Sequence, residues 1–529
     1  MVEPGGSVET GAYMAATLII LALAIAAFMS NRVPLGVVAL GVSLALWATG
    51  VLSLGEVTAG FGDPTVIFIA SLFVVSEALE STGVTTWVST QVISRAGEKR
   101  STLILVVGIL GAIATALISV NGAVAALVPV VVVVAIRAKL APSQMLIPLA
   151  FAAHAGSLLA LTGTPVNIIV SEQAANAGAR PFGFFEFALV GIPLLVGTLL
   201  IVVFFGRFLL PTRPFRAPMG DLRAHAETLR EQYDLDGGSR LIGAKKGISE
   251  VVVAPRSELI GTHAYPGMVT GSGSLVILAI QRGGENITEE HTVLMAGDTL
   301  LLTGTWSDLT HEVATPGMLV VDEPDMLRRG VPLGIGAKRA MFTLLAMIIL
   351  LATGIVPPAI AGLAAAMTLV VTGVVTPPRA YRSISWTTIV LIGGMIPLST
   401  AVVQTGTADL LATGLLGIVG DGSPHLALLA ICALTMVLGQ LISNTATVLI
   451  VAPIALVVAG DLGVSVLPFM MALTVAGAAA FLTPVATPAN TMVLEPGGYR
   501  FGDYWKLGLP LLLFFLAVAV FYVPVIWPF

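Results

Sequence analysis

Two stretches of this chain decide its fold: "LTGTPVNIIV" at residues 161–170 and "LTPVATPANTMV" at residues 482–493. Each lies in an apolar segment long enough to span a membrane, and each contains Thr-Pro-x-Asn. Proline removes a backbone donor and clashes with the preceding helical turn, so both segments are predicted to be broken helices. One chain therefore carries the same break twice, about 320 residues apart.

The composition around these breaks indicates an integral membrane protein. Of the 529 residues, 56% are hydrophobic and only 10% are charged, whereas soluble domains have about 25% charged residues. Apolar runs of about 18–20 residues recur, without the ten-residue alternation of an outer-membrane barrel. The acidic N-terminus favours a retained first span over a cleaved signal. The single Cys432 argues against a disulfide framework or a cysteine metal site.

Apolar stretches predict ten membrane spans, of which two are broken. They cover residues 12–30, 33–53, 64–94, 143–176, 187–210, 339–356, 359–376, 386–418, 465–495 and 505–526. Two more apolar stretches, 101–136 and 425–460, are interrupted by "SVNG" at 119–122 and "SNTAT" at 443–447. Arms of about 18 residues reach roughly 27 Å, so these tips are either loops beyond the membrane or re-entrant turns within it.

Basic residues predict the orientation of the spans. Seventeen Lys and Arg residues in and beside the membrane segments fall on one side if the N-terminus is outside, and only Arg180 falls on the other. Because basic residues concentrate on the cytoplasmic side, both termini are predicted outside the plasma (inner) membrane. The polar stretch 213–337 is then cytoplasmic.

The two halves of the chain repeat each other. Residues 61–83 align without gaps to 384–406, and "ISVNGAVAALVP" at 118–129 aligns to "ISNTATVLIVAP" at 442–453. The breaks align as well, all at an offset of 323 or 324 residues. The predicted orientations are opposite, which is the inverted-repeat architecture of secondary transporters. Three parts follow: a first membrane repeat at 1–212, a cytoplasmic part at 213–337 and a second, inverted repeat at 338–529.

Four polar interruptions are predicted to converge at the repeat interface: residues 119–122, 162–167, 443–445 and 483–490. Free N–H groups at helix N-termini suit an anion. Carbonyl groups, with Asn and Thr oxygens, can coordinate Na⁺. The alternative is that Pro, Ser and Thr only kink these helices and bind nothing.

Other polar residues in the spans leave two readings open. Glu77 and Glu80 are either buried functional carboxylates or lie near water on an interfacial helix. His154 either takes part in proton-linked transport or only packs and donates hydrogen bonds between helices, and Gln440 poses the same question.

At these residues the chain resembles the divalent-anion:sodium symporter family of the ion-transporter superfamily, through "SNT" at 443–445, "GTPVN" at 163–167 and "ATPAN" at 486–490. The resemblance implies an all-α polytopic fold with two re-entrant helical hairpins, 101–136 and 425–460, and broken helices. It also implies an elevator-like mechanism, a homodimer, and Na⁺ as coupling ion with no other cofactor.

With the repeat, the resemblance implies a set of residues that bind substrate and ion: Ser119, Asn121, Gly122, Thr164, Pro165, Asn167, Ser443, Asn444, Thr445, Thr487, Pro488 and Asn490. Sodium is expected near Asn121, Thr164, Asn444 and Thr487. The tip "SVNG" departs from Ser-Asn-Thr, because no hydroxyl follows its asparagine. The identity of the anion and the coupling stoichiometry stay open.

The cytoplasmic part is predicted to contain a small α+β domain after a partly helical connector at 213–240. "SEVVVAP" at 249–255 and "GSLVILAIQRGGE" at 273–285 read as strands, and "AGDTLLLTGTWSDLTHEVA" at 296–314 reads as a strand and a helix capped near Ser307. Residues from about 245 to 325 resemble the TrkA-C module of potassium-conductance regulators. That resemblance implies either a small cytoplasmic ligand or a dimerisation role. No Gly-x-Gly-x-x-Gly precedes it, so no dinucleotide site is expected.

The favoured function is secondary active transport of a small divalent anion, a dicarboxylate or sulfate, coupled to Na⁺ across the lipid bilayer. No His, Asp and Glu cluster has catalytic spacing, so the chain is not expected to be an enzyme, and nucleic acid is not an expected partner. One alternative is a Na⁺- or H⁺-linked antiporter or metalloid exporter of the same superfamily. Another is a ligand-gated K⁺ conductance, although a Thr-x-Gly-Tyr-Gly filter is missing.

Overall fold

The computed structural model describes most of the chain, in two compact units. One unit comprises residues 1–77, 92–217 and 342–529, and the other comprises 78–91 and 218–341. Of the predicted connector at 213–240, residues 214–240 lie outside the described residues. The described residues are 5–30, 32–93, 99–213, 246–270, 273–283, 285–287, 292–313, 317–321, 334, 336–419 and 423–529.

The membrane segments of both repeats are helices. The first repeat has α1 (Gly5–Ser30), α2 (Leu35–Ala48), α3 (Leu54–Ala59), α4 (Pro64–Ser81), α5 (Val84–Ile93), α6 (Arg100–Leu117), α7 (Val120–Arg137), α8 (Leu146–Gly156), α9 (Pro165–Asn176) and α10 (Ala188–Leu209). Among the described residues, seven helical stretches of the chain are long and apolar enough to cross a membrane, and five shorter apolar helices have 10–17 residues.

After α11 (Trp306–Val313), which belongs to the sheet region, the second repeat continues the helical series. It has α12 (Ala337–Thr353), α13 (Pro358–Val371), α14 (Pro377–Ser383), α15 (Trp386–Gln404), α16 (Thr407–Val419), α17 (Pro424–Gly439), α18 (Asn444–Asp461), α19 (Val466–Ala478), α20 (Pro488–Leu494), α21 (Tyr504–Ala517) and α22 (Val523–Ile526). A π-helical turn joins α21 to α22.

Two predicted spans are each interrupted by a glycine. The segment 64–94 is not one span, because α4 and α5 are separated at Gly83, which has φ +67°. The segment 386–418 divides in the same way at Gly406, which has φ +71°. Glycine adopts this left-handed conformation without the steric cost that a Cβ brings. Since the repeat aligns these two glycines, the sequence match extends to backbone conformation.

The two apolar stretches with polar tips are helical hairpins. Helices α6 and α7 have 18 residues each, and α17 and α18 have 16 and 18. In both hairpins the two arms pack against each other. The second arm contains a proline in each case, Pro129 and Pro453, at equivalent positions of the repeat.

The sheet region contains a five-stranded and a two-stranded sheet. Its strands are β1 (Lys246–Val253), β2 (His263–Ala264), β3 (Val276–Arg282), β4 (Glu285–Asn286), β5 (Thr292–Val293), β6 (Thr299–Thr305) and β7 (Met318–Val320). The larger sheet has the order β4-β3-β6-β1-β7 and its neighbours are antiparallel, while β2 pairs with β5. Alternating apolar residues of β1, β3 and β6 form its core with Trp306 and Leu309 of α11.

The strands overlap the predicted ones, and the helix is capped near Ser307. Helix α11 begins at Trp306, and the Thr305 hydroxyl accepts a hydrogen bond from the Asp308 N–H at 3.3 Å. The capping residue is Thr305, two residues before Ser307. The Thr305 hydroxyl takes this role because β6 runs directly into the helix and places that hydroxyl over the first turn.

Candidate transport site

Each predicted break is held in shape by its asparagine. Asn167 Nδ2 donates hydrogen bonds to the carbonyl oxygens of Ser157 and Ala160, both at 2.8 Å. Asn490 Nδ2 does the same with the carbonyl groups ten and seven residues before it, at 2.8 and 3.1 Å. Both side chains are fully buried. The asparagine thus replaces backbone hydrogen bonds that the break removes, and it does so identically in the two halves.

The threonine of each motif caps the helix that follows the break. Thr164 Oγ1 accepts from the Val166 N–H at 3.4 Å, and Thr487 Oγ1 accepts from the Asn490 N–H at 3.3 Å. The prolines stand at the first helical position, where a missing N–H costs nothing. The predicted breaks are therefore real interruptions of α8–α9 and α19–α20, and the motif accounts for them locally.

The hairpin tips are also capped alike. Ser119 Oγ accepts from the Gly122 N–H at 3.1 Å, and Ser443 Oγ accepts from the Ala446 N–H at 3.2 Å. Each serine is the N-cap of the second arm and bonds three residues ahead. This shared geometry fixes the register between the tips.

That register changes the interpretation of "SVNG". Val120 stands in the place of Asn444, and Asn121 stands in the place of Thr445. The first tip therefore lacks an amide directly after its capping serine, rather than a hydroxyl after its asparagine. Asn121 is exposed, whereas Asn444 is partly buried.

Side-chain hydrogen bonds tie each hairpin to the break of its own half. Thr162 Oγ1 donates to the carbonyl oxygen of Ala116, at the end of α6, at 2.9 Å. In the second half, Gln440 Nε2 donates to the Ala479 carbonyl at 2.9 Å, and Gln440 Oε1 accepts from the Leu482 N–H at 3.0 Å. Gln440 thus has a structural role.

Packing brings the halves together. Helix α9, which follows the first break, packs on α18, and helix α20, which follows the second, packs on α7. A Cβ added to Gly477 would lie 3.0 Å from Val448 and 3.6 Å from Val166, so these first turns of α18 and α9 are neighbours. Contacts therefore run from the first hairpin to the first break, on to the second hairpin and the second break, and back to the first hairpin. We call this closed series of contacts the ring.

His154 belongs to this ring, although its role was open from sequence. Its Nε2 lies 3.2 Å from Thr487 Oγ1 and 3.3 Å from Asn490 Oδ1. Asn490 Nδ2 already donates to two carbonyl groups, so the atom that faces the imidazole is the acceptor Oδ1. The hydrogen of this bond is therefore assigned to His154 Nε2. The edge of the His154 imidazole also contacts the ring of Phe481, with centroids 5.9 Å apart. Sequence alone could not find this contact, since it joins residues of different halves.

Several buried oxygens of the ring have no hydrogen-bond partner among the described residues. They are Asn167 Oδ1, Asn444 Oδ1, Thr447 Oγ1 and Thr483 Oγ1. Unpaired buried polar atoms are rare in folded proteins and require an explanation such as a bound ion, ligand or water.

The Glu77 carboxylate, on α4, is paired with a residue outside the four interruptions. Glu77 accepts a hydrogen bond and forms an ion pair with Arg379, with Oε1 and Nε 2.6 Å apart, and the Glu77 side chain is 8% exposed. Glu80 is half-buried on the same helix. The paired Glu77 therefore has a structural role.

A cavity of about 510 Å³ lies among α9, α15 and α18 and the start of α4. It is lined by the carboxyl groups of Asp63 and Glu172, by polar groups that include Gln173 and Gln404, and by no Lys, Arg or His. Its charge therefore favours cations.

The chain matches two family models. One, described as a citrate transporter, covers residues 25–421, and the other, the sodium:sulfate symporter transmembrane region, covers residues 331–529.

Three similar proteins are transporters by name. An uncharacterized transporter, YfbS, of Escherichia coli (strain K12) is 31% identical over 97% of this chain and 99% of its own length. A probable sodium/sulfate cotransporter 3 of Chlamydomonas reinhardtii is 26% identical over 55% of this chain and 33% of its own. The solved structure of the YdaH transporter of Alcanivorax borkumensis is 13% identical, has a TM-score of 0.50 and matches 96% of this chain and 98% of that one. That likeness shows a shared fold.

Proposed function

Since this chain belongs to the citrate transporter family, and is a multi-pass membrane transporter rather than an enzyme, we propose that it carries a small divalent anion, either a dicarboxylate or sulfate, together with Na⁺. The observation that carries the proposal is the ring of four helix interruptions, whose buried oxygens include four without a hydrogen-bond partner in the described part of the chain. Irregular backbone at membrane depth is tolerated where it lines a cavity or binding site.

The anion is proposed to bind at the hairpin tips. The first turns of α7 and α18 begin at capping serines, and their N–H groups form the positive end of a helix dipole. No Lys or Arg occurs in the four interruptions. The anion would then be held by N–H groups, hydroxyls and amides, and a co-transported cation would compensate its charge. Ser119, Asn121, Gly122, Ser443 and Thr445 are the residues assigned to this role.

The cation is proposed to bind to oxygens of the breaks and the second tip. Amide and hydroxyl oxygens are the hard ligands that Na⁺ prefers, as are backbone carbonyl groups. Asn167 and Asn444 supply amide oxygens that are buried and unpartnered in the described part of the chain. Thr164, Pro165, Thr487, Pro488 and Asn490 shape the breaks. The names of the similar Chlamydomonas proteins, sodium/sulfate cotransporters, support Na⁺ as the ion.

Transport is proposed to proceed by an elevator-like movement of the hairpins and broken helices, with both hairpins re-entrant and the chain a homodimer. The plasma membrane location, external termini and a cytoplasmic sheet region are proposed from the distribution of basic residues. The sheet region is proposed to regulate transport by binding a small ligand or to mediate dimerisation.

Charge movement in proteoliposomes tests this function. Succinate and then sulfate are added rapidly, each with Na⁺ and with K⁺ as the only monovalent cation. The proposal predicts a transient with Na⁺ and one of the two anions. Silence with both anions, from protein shown to be folded, would contradict it and favour a cation antiporter or metalloid exporter of the same superfamily.

A further inference from the structure

The side-chain oxygens of the two break asparagines have different surroundings. Asn490 Oδ1 lies 3.3 Å from His154 Nε2, whereas Asn167 Oδ1 is buried and has no partner among the residues that the structure describes. An amide oxygen can only accept. Both asparagines donate the same pair of hydrogen bonds to backbone carbonyl groups, so the difference lies in what faces each side-chain oxygen.

One position on the preceding helix produces this difference. His154 of α8 aligns with Gly477 of α19, at the same offset of 323 residues that relates the breaks. A Cβ at Gly477 would already lie 3.0 Å from Val448 and 3.6 Å from Val166. The place that the imidazole takes at the second break is therefore occupied by aliphatic groups at the first, and no donor of the described residues reaches Asn167 Oδ1.

The two hairpin tips show the same asymmetry as the breaks, with polar residues at one tip and apolar residues at the equivalent positions of the other. In the register set by the capping serines, Asn444 is replaced by Val120, and Thr447 is replaced by Ala123. Asn444 Oδ1 and Thr447 Oγ1 are buried without a partner in the described residues, and their counterparts are apolar. Because α18 packs on α9 while α7 packs on α20, these changes coincide with those at the breaks.

The ring therefore has two unequal sides. The Asn167 side comprises Asn167, Asn444 and Thr447, and the His154 side comprises Val120, Ala123, His154 and Asn490. The unpartnered Thr483 Oγ1 at the second break is a hydroxyl, which can donate as well as accept. Both acceptor-only oxygens without a partner lie on the Asn167 side.

The acidic cavity lies on the same side. It is lined by residues of α9 and α18, the helices that carry Asn167 and Asn444, and it contains Asp63 and Glu172 without a basic side chain. A cleft of one charge sign raises the local concentration of the opposite ion. Cations are thus concentrated next to the side that has unpaired acceptors.

We propose that this transporter has one position for the coupling cation, on the Asn167 side, and that His154 has closed the pseudo-symmetric position. The His154 N–H makes to Asn490 Oδ1 the contact that a cation would otherwise make. The inference rests on the proposed Na⁺-coupled transport and specifies its stoichiometry. His154 is a positioning residue in this account, and Asn444 is a cation ligand.

The test is a count of Na⁺ bound to the purified full-length chain in lipid nanodiscs, by equilibrium binding of radioactive sodium. We expect one Na⁺ per chain. Asn444→Val, which copies the residue of the other tip, is expected to weaken binding at least tenfold. Val120→Ala, at the equivalent position of the His154 side, is the matched control and is expected to leave binding unchanged.

A second variant covers the case in which Asn444→Val does not fold. Thr447→Val has nearly the same shape and is expected to weaken Na⁺ binding several-fold in folded protein. Two Na⁺ per chain, or unchanged affinity in folded Asn444→Val and Thr447→Val, would overturn the inference and leave the proposed function intact. No Na⁺ binding to folded wild-type protein would contradict the proposed Na⁺ coupling itself.

Discussion

The first and second breaks show how one motif can give the same backbone and a different chemistry. Asn167 and Asn490 each donate to the carbonyl groups seven and ten residues earlier, so the fold of the two breaks is the same. The oxygen of one amide meets an imidazole and the other meets no partner in the described chain. The repeat thus preserves the hydrogen bonds of one side-chain atom while the surroundings of the next atom differ.

The largest expected effect comes from removing what the two breaks share. Asn167→Ala and Asn490→Ala each leave two buried carbonyl groups unpaired, which we expect to lower the free energy of unfolding by about 2–5 kcal/mol and to abolish transport. Thermal unfolding in detergent and anion uptake measure the two effects. Asn176→Ala, on the exposed end of α9, is the control for stability. If only one of the two substitutions lowered stability and transport, the asparagine hydrogen bonds of the two breaks would not be equivalent.

The sheet region offers a smaller effect that lies outside the ring. Arg282 holds Asp298 through two hydrogen bonds of 2.7 Å. Burial raises the pKa of Asp298, but the Arg282 hydrogen bond and the Met295 N–H outweigh it, so the pKa lies below the usual value of 3.8. We expect Arg282→Met to destabilise the sheet region by about 2 kcal/mol at pH 7, measured by hydrogen exchange of β3 and β6 in the full chain.

The sign of the pH dependence follows from the lowered pKa. The contribution of Asp298 is fully present above pH values near its unfolded pKa and is lost as the pH falls through its folded pKa. The difference between wild type and Arg282→Met should therefore shrink toward pH 3. Transport and its Na⁺ requirement should be retained in this variant at pH 7. A changed Na⁺ requirement would show that the comparison cannot be confined to the two breaks.

The smallest expected effect adds one methyl group beside the first break. In Gly477→Ala the new Cβ lies 3.0 Å from Val448 Cγ2, so the first turn of α18 must shift by a few tenths of an ångström. We expect a cost of about 1 kcal/mol and a several-fold weaker apparent affinity for Na⁺ in uptake assays. Gly460→Ala in α18 meets nothing within 4 Å and should leave the affinity unchanged. Equal effects of both variants would show that the close packing at Gly477 does not determine the affinity for Na⁺.

Much of the fold could be predicted because its signals are local. The two breaks at Thr-Pro-x-Asn could be predicted because proline removes a backbone donor and clashes with the preceding helical turn. The alternating strands of the sheet region were likewise predictable from a local signal. Gly83 and Gly406 were missed as interruptions because a glycine inside an apolar run gives no signal of its φ angle.

The site was predictable only where symmetry could be read from the sequence. Repeat alignment brought the two tips and two breaks together. The contact of His154 with Thr487 and Asn490 depends instead on how α8 packs on α20, and no pattern within either segment encodes it. The register of "SVNG" was already contained in the alignment of 118–129 with 442–453, and the bonds of the two capping serines agree with it.

The most direct test of this account is the ratio of sodium to anion that crosses the membrane in one cycle. Initial fluxes of radioactive Na⁺ and of the transported anion are measured together in proteoliposomes that contain the full chain. With a single cation position we expect one Na⁺ per anion, with both fluxes lost in Asn444→Val. A ratio of two or more, or anion flux without any Na⁺, would contradict it.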